Sequence, residues 1–126
     1  MFSLGLMTTY RLDIAGSEAT LVEMQELLTE HGVQSERTTL ILNTAGAGSV
    51  DLVSIIAGSG ITFVAQALVA YLRRKAGQRK IVVQWVDDAD DHIKRVEVET
   101  PRLEEIQELL KKAETVFCRD STDEKT

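Results

Sequence analysis

Two stretches of this chain carry residue types that could bind a ligand. Alternating alanine and glycine at residues 45–48 precede a predicted helix, and a glycine-rich turn before a helix can hold phosphate on its main-chain N–H groups. No lysine lies near this turn, no third glycine completes a dinucleotide-binding pattern, and Asp51 just beyond it would repel an anion. We therefore interpret residues 45–48 as a flexible connector.

Four aspartates within residues 87–91 form the second stretch, and clustered carboxylates can bind calcium. The spacing lacks the central glycine and the closing glutamate of an EF-hand loop. The pattern instead predicts the acidic turn of a β-hairpin. Its charge would also discourage pairing with the edge of another sheet.

The single cysteine and the two histidines offer little further chemistry. Cys118 has no second cysteine with which to form a disulfide or a metal pair. His31 lies near the end of a predicted helix, and His92 lies beside the acidic turn without another nitrogen or sulfur ligand nearby. We expect no catalytic, cofactor-binding or metal-binding residues and no cofactor, so an enzyme is the least favoured class of function.

The apolar pattern predicts the elements that would position these residues. Alternation favours strands near residues 9–14, 38–42, 81–86 and 93–98, and helical spacing favours helices that begin after Ser17 and Thr100. The apolar stripe of the last helix runs from Ile106 to Phe117. The order β-α-β-α-β-β-α is typical of an α+β two-layer sandwich. We expect one domain over residues 1–118 and a disordered polar tail over residues 119–126.

The central segment, residues 49–75, has no charge between Asp51 and Arg73. We predict one long helix, about 35–40 Å in length, capped by Ser49 and ended by Gly77. Apolar residues cover nearly its whole circumference, so it must be buried in protein or in lipid. Small residues at positions 57–60 would let another backbone approach closely. The predicted oligomer or membrane interface comprises Ile56, Gly58, Gly60, Phe63, Val64, Ala67 and Tyr71.

The composition restricts the classes of partner and compartment. The chain has 126 residues, of which 44% are hydrophobic and 27% charged, and its formal net charge is -6. An acidic chain lacks the electrostatic signature of nucleic-acid binding. Its apolar beginning lacks the basic region and the cleavage site of a secretory signal. We expect a cytoplasmic protein, with membrane association through the central segment as the alternative.

Several motifs resemble the effector-associated constant component family of bacterial conflict systems. They are residues 48–53, residues 57–60, the pair Ala67-Leu68 and residues 71–74, followed by the hairpin and by a last helix that carries Leu109-Leu110. The chain departs from the family at Tyr71, where a tryptophan is usual, and in its aspartate-rich hairpin turn.

The resemblance implies a biological role. Members of that family are short proteins encoded beside proteases and other effector modules. We therefore expect a non-enzymatic accessory or adaptor module of a prokaryotic defence or signalling system, including antiviral defence. It would form a homo-oligomer through the central helix and would couple to an effector, a protease among the candidates. The alternative is a membrane-active component whose central helix inserts into or contacts the bilayer.

Overall fold

The computed structural model describes residues 11–41, 49–56, 60–75 and 77–120, which form six strands and three helices. In chain order the elements are β1 (Arg11–Ala15), α1 (Glu18–Glu30), β2 (Glu36–Ile41), β3 (Ser49–Ile56), α2 (Ile61–Arg74), β4 (Arg79–Asp87), β5 (His92–Val98), α3 (Leu103–Leu110) and β6 (Thr115–Asp120). The predicted connector at residues 45–48, the predicted interface residue Gly58 and residues 121–126 of the predicted tail lie outside the described residues.

The strands form one mixed sheet in the order β2-β3-β1-β6-β4-β5. β1 and β6 pair in parallel at its centre, and the other neighbouring strands are antiparallel. All three helices contribute to one apolar core against one face of the sheet. The α+β class predicted from the sequence is therefore confirmed, but the order of the elements differs from the prediction.

Alternation along the strands decides which side chains meet the helices. Leu12 and Ile14 of β1 belong to the core, as do Ile81 and Val83 of β4. The residues between them point to the opposite side of the sheet, which we call the bare face. Besides several polar residues, the bare face carries Leu52, Ile56, Ala15, Phe117, Val82, Val86 and Ile93.

The prediction of one long central helix is wrong. The first part of the central segment is β3, which pairs with β1 and β2. Only Ile61–Arg74 forms a helix, α2. Its fourteen residues correspond to about 21 Å. β3 is buried on both faces at Leu52 and Val53, so its apolar residues do not alternate with polar ones and imitate a helix that is apolar all round. The β-branched residues of this stretch favour a strand.

The prediction that the last helix reaches Phe117 is also wrong. α3 ends at Leu110, and the following β6 pairs with both β1 and β4 at the centre of the sheet. Val116 and Phe117 happen to continue the apolar spacing of α3 although they belong to a strand. The predicted domain boundary at residue 118 therefore falls inside β6, which extends to Asp120.

Several local predictions are confirmed. The hydroxyl of Ser17 caps α1 by accepting a hydrogen bond from the main-chain N–H of Thr20 at 3.2 Å. β4 and β5 form the predicted hairpin, which Asp87 and His92 close as a pair. The turn between them places Asp91 at a φ of 60°, a conformation that aspartate adopts more readily than most residues.

We predict that Gly16→Ser destabilises the fold because a Cβ at this position would lie 2.9 Å from the main-chain oxygen of Cys118 and 3.1 Å from Cγ2 of Thr20. The expected loss is about 1–3 kcal/mol of unfolding free energy, measured by urea denaturation. Gly60→Ser is the matched control, since nothing lies within 4 Å of a Cβ there and serine suits the start of a helix. Equal stability of the two variants would contradict the close packing of β1 against β6.

Candidate functional site

The predicted interface residues separate into two groups. Val64, Ala67 and Tyr71 are buried in the core of the chain, each at most 1% exposed. Ile56 and Phe63 are 72% and 50% exposed, and Gly60 is the N-cap of α2. The second group is therefore accessible in the folded chain, whereas the first could make outside contacts only if α2 left the core.

Ile56, Gly60 and Phe63 line one cavity of about 1140 Å³, which we call the corner groove. β3 ends at Ile56 and α2 begins just after Gly60, so the end of the strand and the first turn of the helix both contribute a large apolar side chain to this cavity. The main-chain N–H of Phe63 donates to the oxygen of Gly60 at 3.0 Å and fixes the first turn of α2. Residues 32–36, which lead from α1 into β2, form the opposite wall.

Charges of both signs lie at the rim of the corner groove. Arg11 forms an ion pair with Asp13 at 3.0 Å and donates to the hydroxyl of Ser54 at 2.9 Å. Glu36 begins β2, which is the outermost strand on this side of the described sheet. The groove therefore combines exposed apolar side chains with charged groups beside a sheet edge.

A second cluster lies within the fold around Arg79, whose side chain is 7% exposed. Its two Nη atoms donate to the carboxylate of Glu23 at 2.9 and 2.8 Å, and its Nε donates to Asp120 at 3.0 Å. Nη1 also donates to the main-chain oxygen of Tyr71, and the guanidinium lies 4.5 Å from the centre of the Tyr71 ring. These four residues, the Arg79 cluster, join α1, α2, β4 and β6.

The charges of the Arg79 cluster stabilise one another. Burial alone would raise the pKa of Glu23, but hydrogen bonds from Arg79 and Arg74 outweigh it and hold that pKa below 4.5. Burial alone would lower the pKa of Arg79, but its hydrogen bonds to Glu23 and Asp120 raise it. The cluster is thus a satisfied ionic network, which is the condition under which buried charges are tolerated.

The sequence analysis missed the Arg79 cluster, although one signal was present. Arg79 continues the alternation of Ile81 and Val83, so it faces the core, and Asp120 similarly continues that of Val116 and Cys118. Opposite charges at the core-facing ends of two strands could have indicated a pair. Nothing in the local sequence indicates Glu23, because it lies 56 positions from Arg79.

Two further residues considered in the sequence analysis, Cys118 and His31, make their contacts within the fold. Cys118 is buried, and this burial raises its pKa to about 12. Nδ1 of His31 lies 2.9 Å from the main-chain oxygen of Leu27. Among the described residues, no three or more His, Cys, Asp or Glu side chains form a group that could hold a metal ion. The same parts of the chain contain no helix of sufficient length and apolarity to cross a membrane.

We predict that Arg79→Met lowers the unfolding free energy by about 3–5 kcal/mol, because Glu23 and Asp120 would keep their burial without their main partner. Arg74→Met is the matched control, since Arg74 also binds Glu23, at 2.8 Å, but its side chain is 43% exposed. Exposed ion pairs contribute about 0–1 kcal/mol. Chemical denaturation would measure the unfolding free energy of both variants. Equal losses in the two variants would contradict the role of Arg79.

Acid should weaken the fold partly through Glu23. Because the pKa of this residue is lowered in the folded chain, its contribution is fully present above 4.5 and is lost as the pH falls through the folded pKa. The unfolding free energy of Glu23→Gln should therefore decline less steeply below pH 4.5 than that of the wild type. Glu26→Gln, an exposed change on the same helix, should follow the wild type. If the unfolding free energies of Glu23→Gln and the wild type declined equally with falling pH, the contribution of Glu23 to acid sensitivity would be refuted.

Comparison with known proteins identifies no relative of this chain. No family model matches the chain, and neither a curated protein nor a solved structure shows significant similarity to it. Any function must therefore be inferred from the contacts and surfaces described above.

Proposed function

We propose that the protein is a non-enzymatic accessory or adaptor module of a prokaryotic defence or signalling system, which self-associates and couples to an effector protein. The observation that carries the proposal is the corner groove. Most apolar residues of the central segment belong to the core, but Ile56 and Phe63 are exposed in this one cavity. The sequence resemblance supplies the biological setting, because members of that family are encoded beside effectors.

Exposed aliphatic and aromatic side chains favour association with a partner. Burial of one large apolar side chain contributes about 1.5–3 kcal/mol, and contacts of this kind commonly dominate an interface. Among the described residues, Ile56 is the most exposed large apolar residue, and Phe63 shares its groove. The pair therefore offers an anchor for one apolar side chain of a partner.

The neighbouring edge of the sheet indicates the form of that partner. β2 pairs with β3 on one side only among the described strands, so its other edge can accept an extended segment through main-chain hydrogen bonds. Strand addition of this kind is a recurrent mode of peptide recognition. The occupant that we propose is an extended segment of the effector, with a large apolar side chain that enters the groove between Ile56 and Phe63.

The coupling can be tested with the products of the genes that lie beside the gene of this protein, among which we expect the effector. After co-expression and purification, Phe63→Ser should weaken effector binding by about tenfold or more, measured by calorimetry, because a central anchor is lost. Val22→Ser is the matched control. Val22 is similarly exposed, at 46%, but lies on α1 and does not line the groove.

Two results would contradict the coupling. Equal binding by Phe63→Ser and the wild type would show that the groove does not hold the effector. Equal loss in Phe63→Ser and Val22→Ser would show a general effect of surface hydrophobicity. Circular dichroism of both variants would establish that each chain is folded.

A further inference from the structure

β5 forms the edge of the described sheet on the side opposite to β2, and among the described strands it pairs only with β4. Its outer edge therefore presents main-chain N–H and C=O groups that can pair with a further strand. The strand is also accessible, since Ile93 is 62% exposed and the side chain of Glu97 is 60% exposed. This edge is thus open to a partner that supplies a strand.

The side chains of β5 alternate between the two sides of the sheet. Ile93, Arg95 and Glu97 lie on the bare face and are exposed. Val96 and Val98 lie on the helix side, where Val98 belongs to the core and Val96 is half-buried against it. Val96 therefore lies at the border of the core, and a strand added beside β5 would cover more of its surface.

The two charged residues of β5 on the bare face can each bind a further group. Arg95 donates from Nε to the side-chain oxygen of Gln84 at 3.0 Å, and a guanidinium carries further N–H donors on its Nη atoms. Glu97 lies 3.7 Å from Nζ of Lys80, and exposed ion pairs of this kind are weak. Both side chains can therefore pair with an opposite charge on a partner.

The positions of the charges restrict how two copies of β5 can pair. When a two-fold axis relates two antiparallel strands of one sheet, the residue at the axis lies opposite its own copy. An axis at Lys94, Arg95 or Glu97 would place like charges directly opposite one another, which is destabilising. An axis nearer either end of β5 would leave only a few residues paired. An axis at Val96 avoids both problems, because it places two valines opposite one another.

The register with Val96 at the axis also pairs opposite charges. Arg95 then lies opposite Glu97 of the other copy, and Glu97 lies opposite Arg95 of the other copy. Both pairs lie on the bare face, where direct cross-strand neighbours of opposite charge are stabilising. The charges that would discourage an unrelated strand at this edge are thus complementary to those of a second copy.

We propose that two copies of this chain pair edge to edge through residues 94–98 of β5, antiparallel and with Val96 at the two-fold axis. The proposal rests on the self-association proposed above and names its surface. The pairing forms about four to six main-chain hydrogen bonds. The acidic turns at residues 88–91 lie at opposite ends of the paired segment and do not face one another. An interface of this small size gives a dimer that dissociates on dilution.

The strand order leaves the corner groove open in this dimer. β2, which borders the groove, and β5 are the two outermost strands of the described sheet. The joined sheet of two copies therefore carries one groove at each of its far edges. The dimer can thus hold two effector molecules at once, which gives self-association a use in an adaptor.

A charge exchange tests both the surface and its register. Arg95→Glu should place two glutamate pairs across the dimer, and Glu97→Arg should place two arginine pairs there. Each variant alone should self-associate at least about tenfold more weakly than the wild type in sedimentation equilibrium. An equimolar mixture of the two variants should recover the wild-type association, because both charge pairs of the mixed dimer are again of opposite sign.

Two further variants are matched controls and should associate like the wild type. Glu26→Arg changes the net charge as Glu97→Arg does, but Glu26 is an exposed residue of α1. Phe63→Ser alters the corner groove, which borders the opposite edge of the sheet. Weaker association of Glu26→Arg would show an effect of net charge alone, and weaker association of Phe63→Ser would show that the groove itself mediates self-association. Either result would overturn the pairing through β5.

The outcomes separate this inference from the proposed function. If the wild type remains a monomer at every concentration, both the β5 pairing and the proposed self-association fail, whereas the coupling to an effector is decided by the binding measurements on Phe63→Ser. If the wild type associates and neither charge variant changes it, the β5 surface is wrong but self-association stands. If both variants weaken association and the mixture does not recover it, the register is wrong. Recovery in the mixture also establishes that both variants are folded.

Discussion

A sheet whose three described helices all pack on one face is the constraint from which the other features follow. Helix-facing side chains of β1, β3, β4, β5 and β6 share one core with α1, α2 and α3, and most of the apolar surface of α2 is used there. The opposite side chains have no such cover among the described elements. The apolar residues of this side nevertheless differ in exposure: Leu52, Ala15 and Val82 are at most 7% exposed, whereas Ile56, Val86 and Ile93 are accessible.

The Arg79 cluster adds an ionic connection among α1, α2, β4 and β6 to the apolar core that these elements already share. One guanidinium satisfies the carboxylates of Glu23 and Asp120 while it packs on the ring of Tyr71. This arrangement positions α1 and α2 relative to the central strand β6 and the neighbouring β4. Phe63 lies in the first turn of α2, at the opposite end of that helix from Tyr71, and lines one cavity with Ile56 at the end of β3.

The sequence was informative where its signals were local. Alternation and a serine cap identified β1 and the start of α1, and the acidic turn identified the β4–β5 hairpin. The central segment was misread because β3 is buried on both faces and loses its alternation. β6 was misread because Val116 and Phe117 extend the helical spacing of α3.

The candidate surfaces depended on information that local patterns do not contain. Exposure of Ile56 and burial of Val64 follow from the division of the segment between a strand and a helix. The bare face depends on a strand order in which β6, the last strand in sequence, lies beside β1. Neither the order nor the register could be derived from spacing along the chain.

The central claim is that a partner occupies the corner groove, and thiol labelling of Gln34→Cys tests it most directly, because Gln34 is exposed and lines the groove. Cys118 is buried with a raised pKa, so the introduced cysteine would be the reactive thiol. The account predicts that its labelling rate falls when the partner protein is added in excess, while the rate of Val22→Cys on α1 stays constant. A rate for Gln34→Cys that the bound partner leaves unchanged would contradict the account.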